Sequence, residues 1–381
     1  MRYWVIGAGP AGCTAARVLA ERGDAEDVVV LERRAHVAGN TYDEMDAAGV
    51  LVHRYGPHIF HTRDRAAYDF LSRFTGWYPL RHQVLASVRG KLLPVPFNLT
   101  SLRMAFPAPT AARMEQRLRE VYGYGARVSI LELRGRTEPE LMELAEYVYE
   151  NIFRFYTQKQ WGAAPDALDP AAMARVPVLV SEENGYFQDP WQGMPADGYT
   201  ALFTRMLDHP RIRVELEADA CARFTPDGDT LLLDGAPCRE PVIYTGALDE
   251  LLGYRLGRLD YRTLDFSFET LPVDGFQPAG VVNYTVDQAY TRITEFKKLT
   301  GQKLDGVTTV AREYPRACEA GDTPYYPIPN AEGAARYAAY RREADRLKTL
   351  TLLGRLAEYR YYNIDTIVSR ALQTGQALPR G

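Results

Sequence analysis

The first thirty residues alternate between short apolar runs and a glycine-rich turn. Residues 2–7 form an apolar run that ends in glycine, which predicts a short buried strand. Residues 11–22 place Ala, Val and Leu on one face, as an amphipathic helix does, and residues 28–32 form a second apolar run. Strand, helix and strand in this order predict a βαβ unit with two parallel strands.

Beyond this unit the character of the pattern changes. Prolines at positions 94, 96, 107 and 109 interrupt it, and helical periodicity follows. Residues 261–313 alternate apolar and polar side chains, which indicates antiparallel strands. The other expected elements are helices at 111–122, 138–158, 332–348 and 365–373 and strands at 212–216, 230–234, 241–245 and 350–353.

These changes predict an α/β protein with a Rossmann-type domain, a helical insertion and an antiparallel β-sheet domain. The Rossmann-type domain is expected to be discontinuous, over residues 1–78, 205–255 and 345–381. The helical insertion is expected at 79–170, and the antiparallel sheet at 171–204 and 256–344.

Residues 7–12 read Gly-Ala-Gly-Pro-Ala-Gly, a G-x-G-x-x-G motif between the first strand and the first helix. The first glycine permits a tight turn, the second lets the backbone approach a pyrophosphate, and the third lets the helix pack closely on the strand. A phosphate would lie at the helix N-terminus, where free N–H groups favour an anion. Glu32 ends the second strand about twenty residues later, where a carboxylate accepts hydrogen bonds from an adenosine ribose. The motif predicts dinucleotide binding.

Composition narrows the function classes. The net charge of −4 gives no positive footprint for nucleic acid or an anionic membrane, and no run approaches 18 apolar residues. The four cysteines are widely scattered, so we expect reduced thiols in a cytoplasmic protein. Tyrosine outnumbers phenylalanine by 25 to 14, and a ring with a hydroxyl suits a cavity that is both shaped and hydrogen-bonding.

The segment after Glu32 resembles the Glu-Arg…Gly-Gly extension of the glutathione-reductase-like flavoproteins, with Arg33, Gly39 and Asn40 in place and Ala38 replacing the first glycine. Gly354-Arg355 after a strand, with Asp365 opening a helix, resembles the second FAD contact of the same superfamily. This resemblance favours FAD as the cofactor and a glutathione-reductase-like FAD-binding domain.

Later segments resemble the UDP-galactopyranose mutase family from one end of the chain to the other. They are Tyr-Gly-Pro-His-Ile-Phe-His-Thr at 55–62, Pro-Phe-Asn-Leu at 96–99, Tyr-Thr-Gln-Lys-Gln-Trp-Gly at 156–162, Tyr-Phe at 186–187, Gly-Met-Pro at 193–195 with Gly-Tyr-Thr at 198–200, Tyr-Thr-Gly at 244–246, Tyr-Thr-Arg-Ile-Thr-Glu at 290–295, Pro-Tyr-Tyr-Pro-Ile at 324–328, and Gly-Arg-Leu through Tyr-Tyr-Asn-Ile-Asp at 354–365.

The resemblance implies an isomerase that interconverts the pyranose and furanose forms of UDP-galactose without net redox change. The family's reduced flavin attacks the anomeric carbon through N5, so FAD would have to be reduced for activity. It implies catalytic roles for Arg175, Arg292 and His58, with Arg175 on a loop that closes over the substrate. Substrate contacts are implied for Asn98, Tyr156, Trp161, Tyr186, Tyr326, Tyr361 and Asn363. Cofactor contacts are implied for Gly7, Gly9, Pro10, Ala11, Gly12, Glu32, Arg33, Gly39, Asn40, His58, His61, Gly354, Arg355, Asn363, Ile364 and Asp365.

His58 and His61 lie three residues apart, a spacing that also occurs among metal ligands. No third ligand is nearby in the sequence, so we predict no metal site. The resemblance places both histidines beside the flavin. Ring opening and closure need a proton carrier, and the sequence leaves this role open between a side chain and the flavin.

Three alternatives remain open from the sequence. The first keeps the chemistry and changes the sugar nucleotide, to dTDP-fucose or UDP-N-acetylgalactosamine, because Asn363 and Ile152 stand where some relatives have other side chains. The second is an FAD-dependent oxidoreductase on the same scaffold. The arginines and tyrosines argue against it, because they indicate an anionic diphosphate ligand. The third is a catalytically idle binder of sugar nucleotides. Neither the physiological reductant nor the oligomeric state follows from the sequence, although the resemblance is compatible with a homodimer.

Overall fold

Five parallel strands form the central sheet of the Rossmann-type unit. The computed structural model describes residues 1–163 and 176–378. Across the sheet the strands are Ile212–Glu215, Asp27–Leu31, Arg2–Ile6, Val242–Tyr244 and Leu350–Leu352. Each neighbouring pair is parallel. Together with the helix Pro10–Glu21, this confirms the predicted α/β class and its amino-terminal βαβ unit.

The central sheet is buried on both faces, which explains the unbroken apolar run at 28–31. Val28 and Val30 pack against the helices Pro10–Glu21, Gly198–Leu207 and Ile364–Ala377 on one face. Val29 and Leu31 face the opposite layer, which contains Leu248–Leu251 and Ala331–Ala344. Because neither face contacts water, the strand does not alternate between apolar and polar side chains.

A seven-stranded sheet forms the second large layer. In order, its strands are Tyr326–Pro327, Tyr261–Leu271, Thr308–Ala317, Arg292–Glu295, Val281–Tyr284, Val84–Val88 and Lys91–Val95. The pairs are antiparallel except for Val281–Tyr284 with Val84–Val88, which is parallel. The two strands of the parallel pair lie far apart in the sequence, which leaves room for the long connection that a parallel pair needs.

That hairpin, Val84–Val88 with Lys91–Val95, differs from the helical insertion expected to begin at residue 79. Pro94, taken from the sequence as an interruption, lies inside the second strand. This strand is at the edge of the sheet, where a residue without an N–H group is tolerated. The division into domains stays a prediction. In the structure the two strands of this hairpin belong to the seven-stranded sheet.

Smaller sheets complete the strand content. They are Phe60–Thr62 with Trp191–Pro195 and Trp77–Tyr78, Phe224–Asp227 with Thr230–Leu233 and Ala236–Pro237, Asp43–Met45 with Leu51–His53, and Arg127–Val128 with Val178–Leu179.

Most of the remaining helices lie within residues 65–161. They are Arg65–Leu71, Leu99–Ala105, Ala108–Tyr122, Ile130–Arg134, Pro139–Val148, Phe155–Trp161, Ala220–Arg223 and Phe296–Thr300, with a 3-10 turn at Gly39–Thr41. The helix expected at 138–158 is divided by a π-helical segment, Tyr149–Arg154. Among the described residues, none of the helices combines the length and apolar character needed to cross a membrane.

The contact between Gly12 and the first turn leaves no room for a side chain. A Cβ atom at Gly12 would lie 1.9 Å from the carbonyl oxygen of Gly7. We expect Gly12→Ala to lower the free energy of unfolding by about 3 kcal/mol, because backbone would have to move. Gly49→Ala is the control. The φ of +79° at Gly49 would strain an alanine, but a Cβ atom there would meet no atom within 4 Å. Chemical denaturation compares the two, and equal losses would contradict the steric explanation.

Candidate active site

A cavity of about 440 Å³ lies at the carboxyl ends of the strands Arg2–Ile6, Asp27–Leu31 and Val242–Tyr244. Ligands of doubly wound sheets bind at this edge. We call it the cofactor cavity. The predicted cofactor residues that line it are Gly7, Gly9, Pro10, Ala11, Glu32, Arg33, Gly39, Asn40, His58, Gly354, Arg355, Asn363 and Ile364.

The cofactor cavity has a floor of bare backbone where two glycines meet. Gly39 has a φ of +54°, and a Cβ atom there would lie 2.8 Å from the Cα atom of Gly9. A side chain at Gly39 would therefore strain its own backbone and collide with the glycine motif. The absence of side chains lets a ligand approach the main chain closely.

Charge and free hydrogen-bond donors make one part of the cofactor cavity suitable for an anion. The helix Pro10–Glu21 begins without a side-chain cap and without an acidic residue in its first turn. Arg34, which the sequence analysis did not select, lines the cavity, and its buried Nη1 has no hydrogen-bond partner among the described residues. Arg33 instead pairs with Glu250 at 2.6 Å. A pyrophosphate at the helix N-terminus would use these donors.

Glu32 is held in place at the end of its strand. Its carboxylate accepts hydrogen bonds from the backbone N–H groups of Ala8, at 2.8 Å, and Arg34, at 3.0 Å. Each carboxylate oxygen has a further lone pair, so the group can also accept from a ribose hydroxyl. The residues present therefore fit a dinucleotide cofactor.

Three predicted cofactor residues lie elsewhere. Gly12 packs against Gly7 beneath the turn. Asp365 accepts a hydrogen bond from Thr62 Oγ1 at 2.9 Å. His61 lies in a neighbouring cavity, where its Nδ1 is 2.6 Å from Asp189 and its ring stacks on Phe187 at 3.5 Å between centroids. None of the three lines the cofactor cavity.

The neighbouring cavity, which we call the second cavity, has a volume of about 530 Å³. It shares His58, Arg355, Asn363 and Ile364 with the cofactor cavity, so the two meet at these residues. The other predicted site residues that line it are Arg292, Tyr156, Trp161, Tyr186, Tyr326 and Tyr361.

Arg292 projects from the strand Arg292–Glu295 into the wall of the second cavity. Its Nη2 donates to the hydroxyl oxygen of Tyr156 at 2.8 Å, and its Nε lies 3.4 Å from Glu313 Oε1. Neither Nε nor that carboxylate oxygen has a hydrogen-bond partner among the described residues. The guanidinium is thus oriented but still has donor capacity for an anionic ligand.

Glu313, which the sequence analysis did not select, lies directly opposite Arg292 in the sheet register. Its side chain is 3% exposed. Burial raises the pKa of Glu313, and the adjacent Arg292 acts in the opposite direction. Asn283 lies opposite Arg292 on the other side, so three polar side chains form a row across the sheet facing the cavity.

The tyrosines supply uncharged donors around this row. Burial raises the pKa of Tyr156 to about 12, and burial also raises the pKa of Tyr326. Both phenols therefore keep their protons at neutral pH. Tyr326 stacks on Tyr361 at 5.8 Å between ring centroids, and the guanidinium of Arg355 lies 4.7 Å from the Tyr361 ring centroid. The group combines cations with neutral hydrogen-bond donors, as recognition of a diphosphate requires.

The helix Phe155–Trp161, which carries Tyr156 and Trp161, is fixed at its carboxyl end by two cations. Arg262 is 7% exposed and donates to the carbonyl oxygens of Lys159 and Gln160, both at 3.0 Å. Lys159 Nζ donates to the carbonyl oxygens of Tyr284, at 2.5 Å, and Gln288, at 3.0 Å. Cations are favoured at a helix C-terminus. These bonds hold the helix against the sheet that carries Arg292.

His58 lies at the junction of the two cavities. Its Nδ1 is 2.9 Å from the carbonyl oxygen of Gly56. Burial, followed by the charges around it, lowers the pKa of His58 to about 3, so the ring is neutral. A carbonyl only accepts, so Nδ1 carries the proton and Nε2 is left as an acceptor. His82, not selected from the sequence, also lines the second cavity.

One predicted residue is not brought to the cavities. Asn98 is 1% exposed; its Oδ1 caps the helix Leu99–Ala105 at Ser101 N, and its Nδ2 donates to Glu183 O at 2.9 Å. Its hydrogen-bonding groups are therefore used within the protein, and it lines neither cavity. Arg175 lies outside the described residues.

Comparisons with known proteins agree with this arrangement. A sequence profile described as UDP-galactopyranose mutase matches residues 151–361, and one described as NAD(P)-binding Rossmann-like domain matches residues 5–74. A protein of Klebsiella pneumoniae named probable UDP-galactopyranose mutase is 36% identical over 375 residues, 97% of this chain and 92% of that protein. The chain belongs to the UDP-galactopyranose mutase family.

Other members of the mutase family differ in substrate. A dTDP-fucopyranose mutase of Escherichia coli is 32% identical over 377 residues, covering 98% of this chain and 97% of that protein. A solved structure titled "Crystal structure of reduced UDP-Galactopyranose mutase" superimposes with a TM-score of 0.73 and 16% identity, covering 98% of this chain and 93% of that one. At that identity the superposition shows the shared fold.

Removing the cation beside Glu313 should destabilise the protein in a pH-dependent way. Arg292→Ala would leave a buried carboxylate unpaired, at a cost of about 3 kcal/mol in the free energy of unfolding. Burial already raises the pKa of Glu313 above its ordinary 4.5. The folded variant would then bind more protons than its unfolded chain above that pH, so its deficit should grow as the pH rises. Urea denaturation across this range measures it.

The control is the double variant Arg292→Ala with Glu313→Gln, which removes the charge together with its partner. It should recover much of the lost stability and show a flatter pH dependence. A deficit in Arg292→Ala that is the same at every pH would contradict the assignment to Glu313.

Proposed function

We propose that FAD occupies the cofactor cavity and that a sugar nucleotide binds in the second cavity, where the chain interconverts the pyranose and furanose forms of UDP-galactose. The observation that carries the proposal is the meeting of the two cavities at His58, Arg355, Asn363 and Ile364. A ligand in the second cavity would contact the reactive end of a dinucleotide in the first. Proximity of this kind is what transfer between two bound molecules needs.

The diphosphate of the substrate would bind at Arg292 with the hydroxyl groups of Tyr156 and Tyr326. Arg292 lines the second cavity, where Tyr156 orients it through Nη2 and Glu313 lies beside its Nε. Because the phenols keep their protons, they donate to phosphate oxygens without adding negative charge. The same cation would stabilise the diphosphate as it leaves the sugar. Arg175 stays a prediction for a second contact.

The sugar would lie at the junction, beside His58 and Asn363. His58 Nε2 is an acceptor for a sugar hydroxyl, and the Asn363 amide can both donate and accept. A reduced flavin, when bound, supplies the nucleophile for the anomeric carbon, so no net oxidation occurs.

UDP-galactose is the first choice because of the family, and dTDP-fucose and UDP-N-acetylgalactosamine are the competing substrates. The E. coli relative named dTDP-fucopyranose mutase resembles this chain at nearly the same identity as the Klebsiella protein. An oxidoreductase is disfavoured because the second cavity presents Arg292 and Arg355 to its ligand. Cations of this kind call for an anionic substrate.

The first test assays the purified protein with FAD under reducing and oxidising conditions. We expect a yellow protein that converts UDP-galactofuranose and UDP-galactose into one another only after reduction with dithionite, as followed by chromatography. Parallel reactions with dTDP-fucose and UDP-N-acetylgalactosamine rank the substrates by kcat/KM. A protein that takes up no FAD would refute the proposal, and turnover by the oxidised protein with release of hydrogen peroxide would favour an oxidase.

The second test removes the proposed diphosphate contact. Arg292→Ala should retain FAD and lose about 10²- to 10³-fold in kcat, as when a donor to developing negative charge is removed. Arg312→Ala is the matched control, because Arg312 lies on the adjacent strand opposite Ile293 and pairs with Glu269 outside the cavity. Flavin absorbance and steady-state kinetics compare the two. Similar activity in both variants would remove Arg292 from the mechanism.

A further inference from the structure

One buried histidine lies behind the junction and has no role in the function proposed above. His53 ends the strand Leu51–His53 and is 1% exposed. Its ring packs between Tyr199, at 5.8 Å between centroids, and Phe296, at 6.0 Å. It lines neither cavity, yet it contacts a residue that lines both.

The contact is a hydrogen bond to the main chain of the junction residue. The backbone N–H of His58 donates to His53 Nδ1 at 3.3 Å. A backbone N–H only donates, so His53 Nδ1 must present a lone pair. Burial lowers the pKa of His53 to about 4, so the ring is neutral and its proton is on Nε2.

The other side of the ring faces a fixed carboxylate. His53 Nε2 is buried without a hydrogen-bond partner among the described residues, and it lies 4.0 Å from Asp43 Oδ2. Asp43 is opposite His53 in the sheet register and accepts from the N–H groups of Tyr199, at 2.6 Å, and Thr200, at 2.9 Å. The carboxylate is thereby attached to the start of the helix Gly198–Leu207. A negative charge on this side favours the tautomer with the proton on Nε2.

The segment between the two histidines is bonded to other parts of the chain at its start, where the N–H of Arg54 donates to the carbonyl oxygen of Tyr42 at 3.1 Å. Gly56 has a φ of +88°, which most side chains rarely adopt, and its carbonyl oxygen binds His58 Nδ1 at 2.9 Å. This local bond orients the His58 ring relative to its own turn. It does not fix the turn relative to the sheets, whereas the bond from His58 N–H to His53 connects it to the core.

We propose that His53 is a positioning residue, which fixes His58 at the junction of the two cavities by accepting its backbone N–H. The inference rests on the proposed function, because it assumes that a flavin and a sugar meet at His58. A displacement of about 1 Å at a reacting centre costs up to about 10²-fold in rate. The loss of this acceptor should therefore reduce catalysis more than it reduces folding.

The experiment compares side chains that differ in one acceptor. In His53→Asn, the amide oxygen can occupy the position of Nδ1, whereas His53→Leu has no acceptor and His53→Gln carries its polar group farther out, on the Nε2 side. Tyr199→Phe is the matched control. It alters the same core by removing a buried hydroxyl that has no hydrogen-bond partner among the described residues.

Each variant with its FAD is measured for flavin content, thermal unfolding, the visible circular dichroism of the oxidised flavin, and kcat and KM for UDP-galactose. For His53→Leu we expect kcat per bound flavin to fall by about 10- to 100-fold with little change in KM, because the placement of the sugar and the geometry for breaking its anomeric C–O bond are disturbed. The flavin dichroism should change as well. His53→Asn and Tyr199→Phe should stay close to the wild-type protein in both measurements.

Wild-type kcat per flavin in His53→Leu would overturn the proposal, and so would equal losses in His53→Asn and His53→Leu. A lower melting temperature or flavin content, with kcat per flavin unchanged, would assign His53 to folding alone and would also overturn it. If His53→Leu does not fold, His53→Gln takes its place. We then expect kcat per flavin to fall in His53→Gln and not in His53→Asn, and equal values in the two variants would overturn the proposal. Inactivity of the wild-type protein toward every sugar nucleotide would instead refute the proposed function.

Discussion

The ion pair between the half-buried Arg292 and the buried Glu313 is the interaction around which much of the second cavity is arranged. A charge withdrawn from water is costly unless it is paired and hydrogen-bonded. Glu313 supplies the opposite charge from the next strand, and Tyr156 supplies a hydroxyl oxygen from a helix. Because the two partners come from different elements, the sheet and the helix must keep one relative position for the charge to be tolerated.

The docking of the helix Phe155–Trp161 follows from that requirement. Arg262 and Lys159 connect its carboxyl end to the sheet and to the segment before Arg292, and each uses backbone carbonyl oxygens. The bonds of Arg262 satisfy carbonyl groups that the helix end leaves free, and those of Lys159 reach carbonyl groups outside the helix. The tyrosine and tryptophan on this helix are thus placed by groups outside the cavity.

The cofactor cavity depends on a different limit, the close approach of main chain to main chain. Gly9 and Gly39 meet where a side chain at Gly39 would collide, and the helix that follows Gly9 starts without a side-chain cap. The two cavities then share His58, Arg355, Asn363 and Ile364. The proposed reaction depends on this junction, because neither cavity alone would bring a cofactor and an anionic sugar nucleotide together.

The sequence by itself determined the features whose causes are local. The βαβ unit, the glycine turn and the acidic strand end depend on periodicity and backbone freedom within about thirty residues, and the family motifs indicated Arg292 and the tyrosines of the second cavity. Only the tertiary structure decided which residues meet across the chain. Strand register places Glu313 beside Arg292, and parallel pairing adds the hairpin Val84–Val95 to the sheet. A hydrogen bond to the distant Glu183 uses the amide of Asn98, and packing against Tyr199 and Phe296 places His53 behind His58. Residue type and spacing do not predict these contacts, because the contacts are fixed by the packing of elements that are far apart in the sequence.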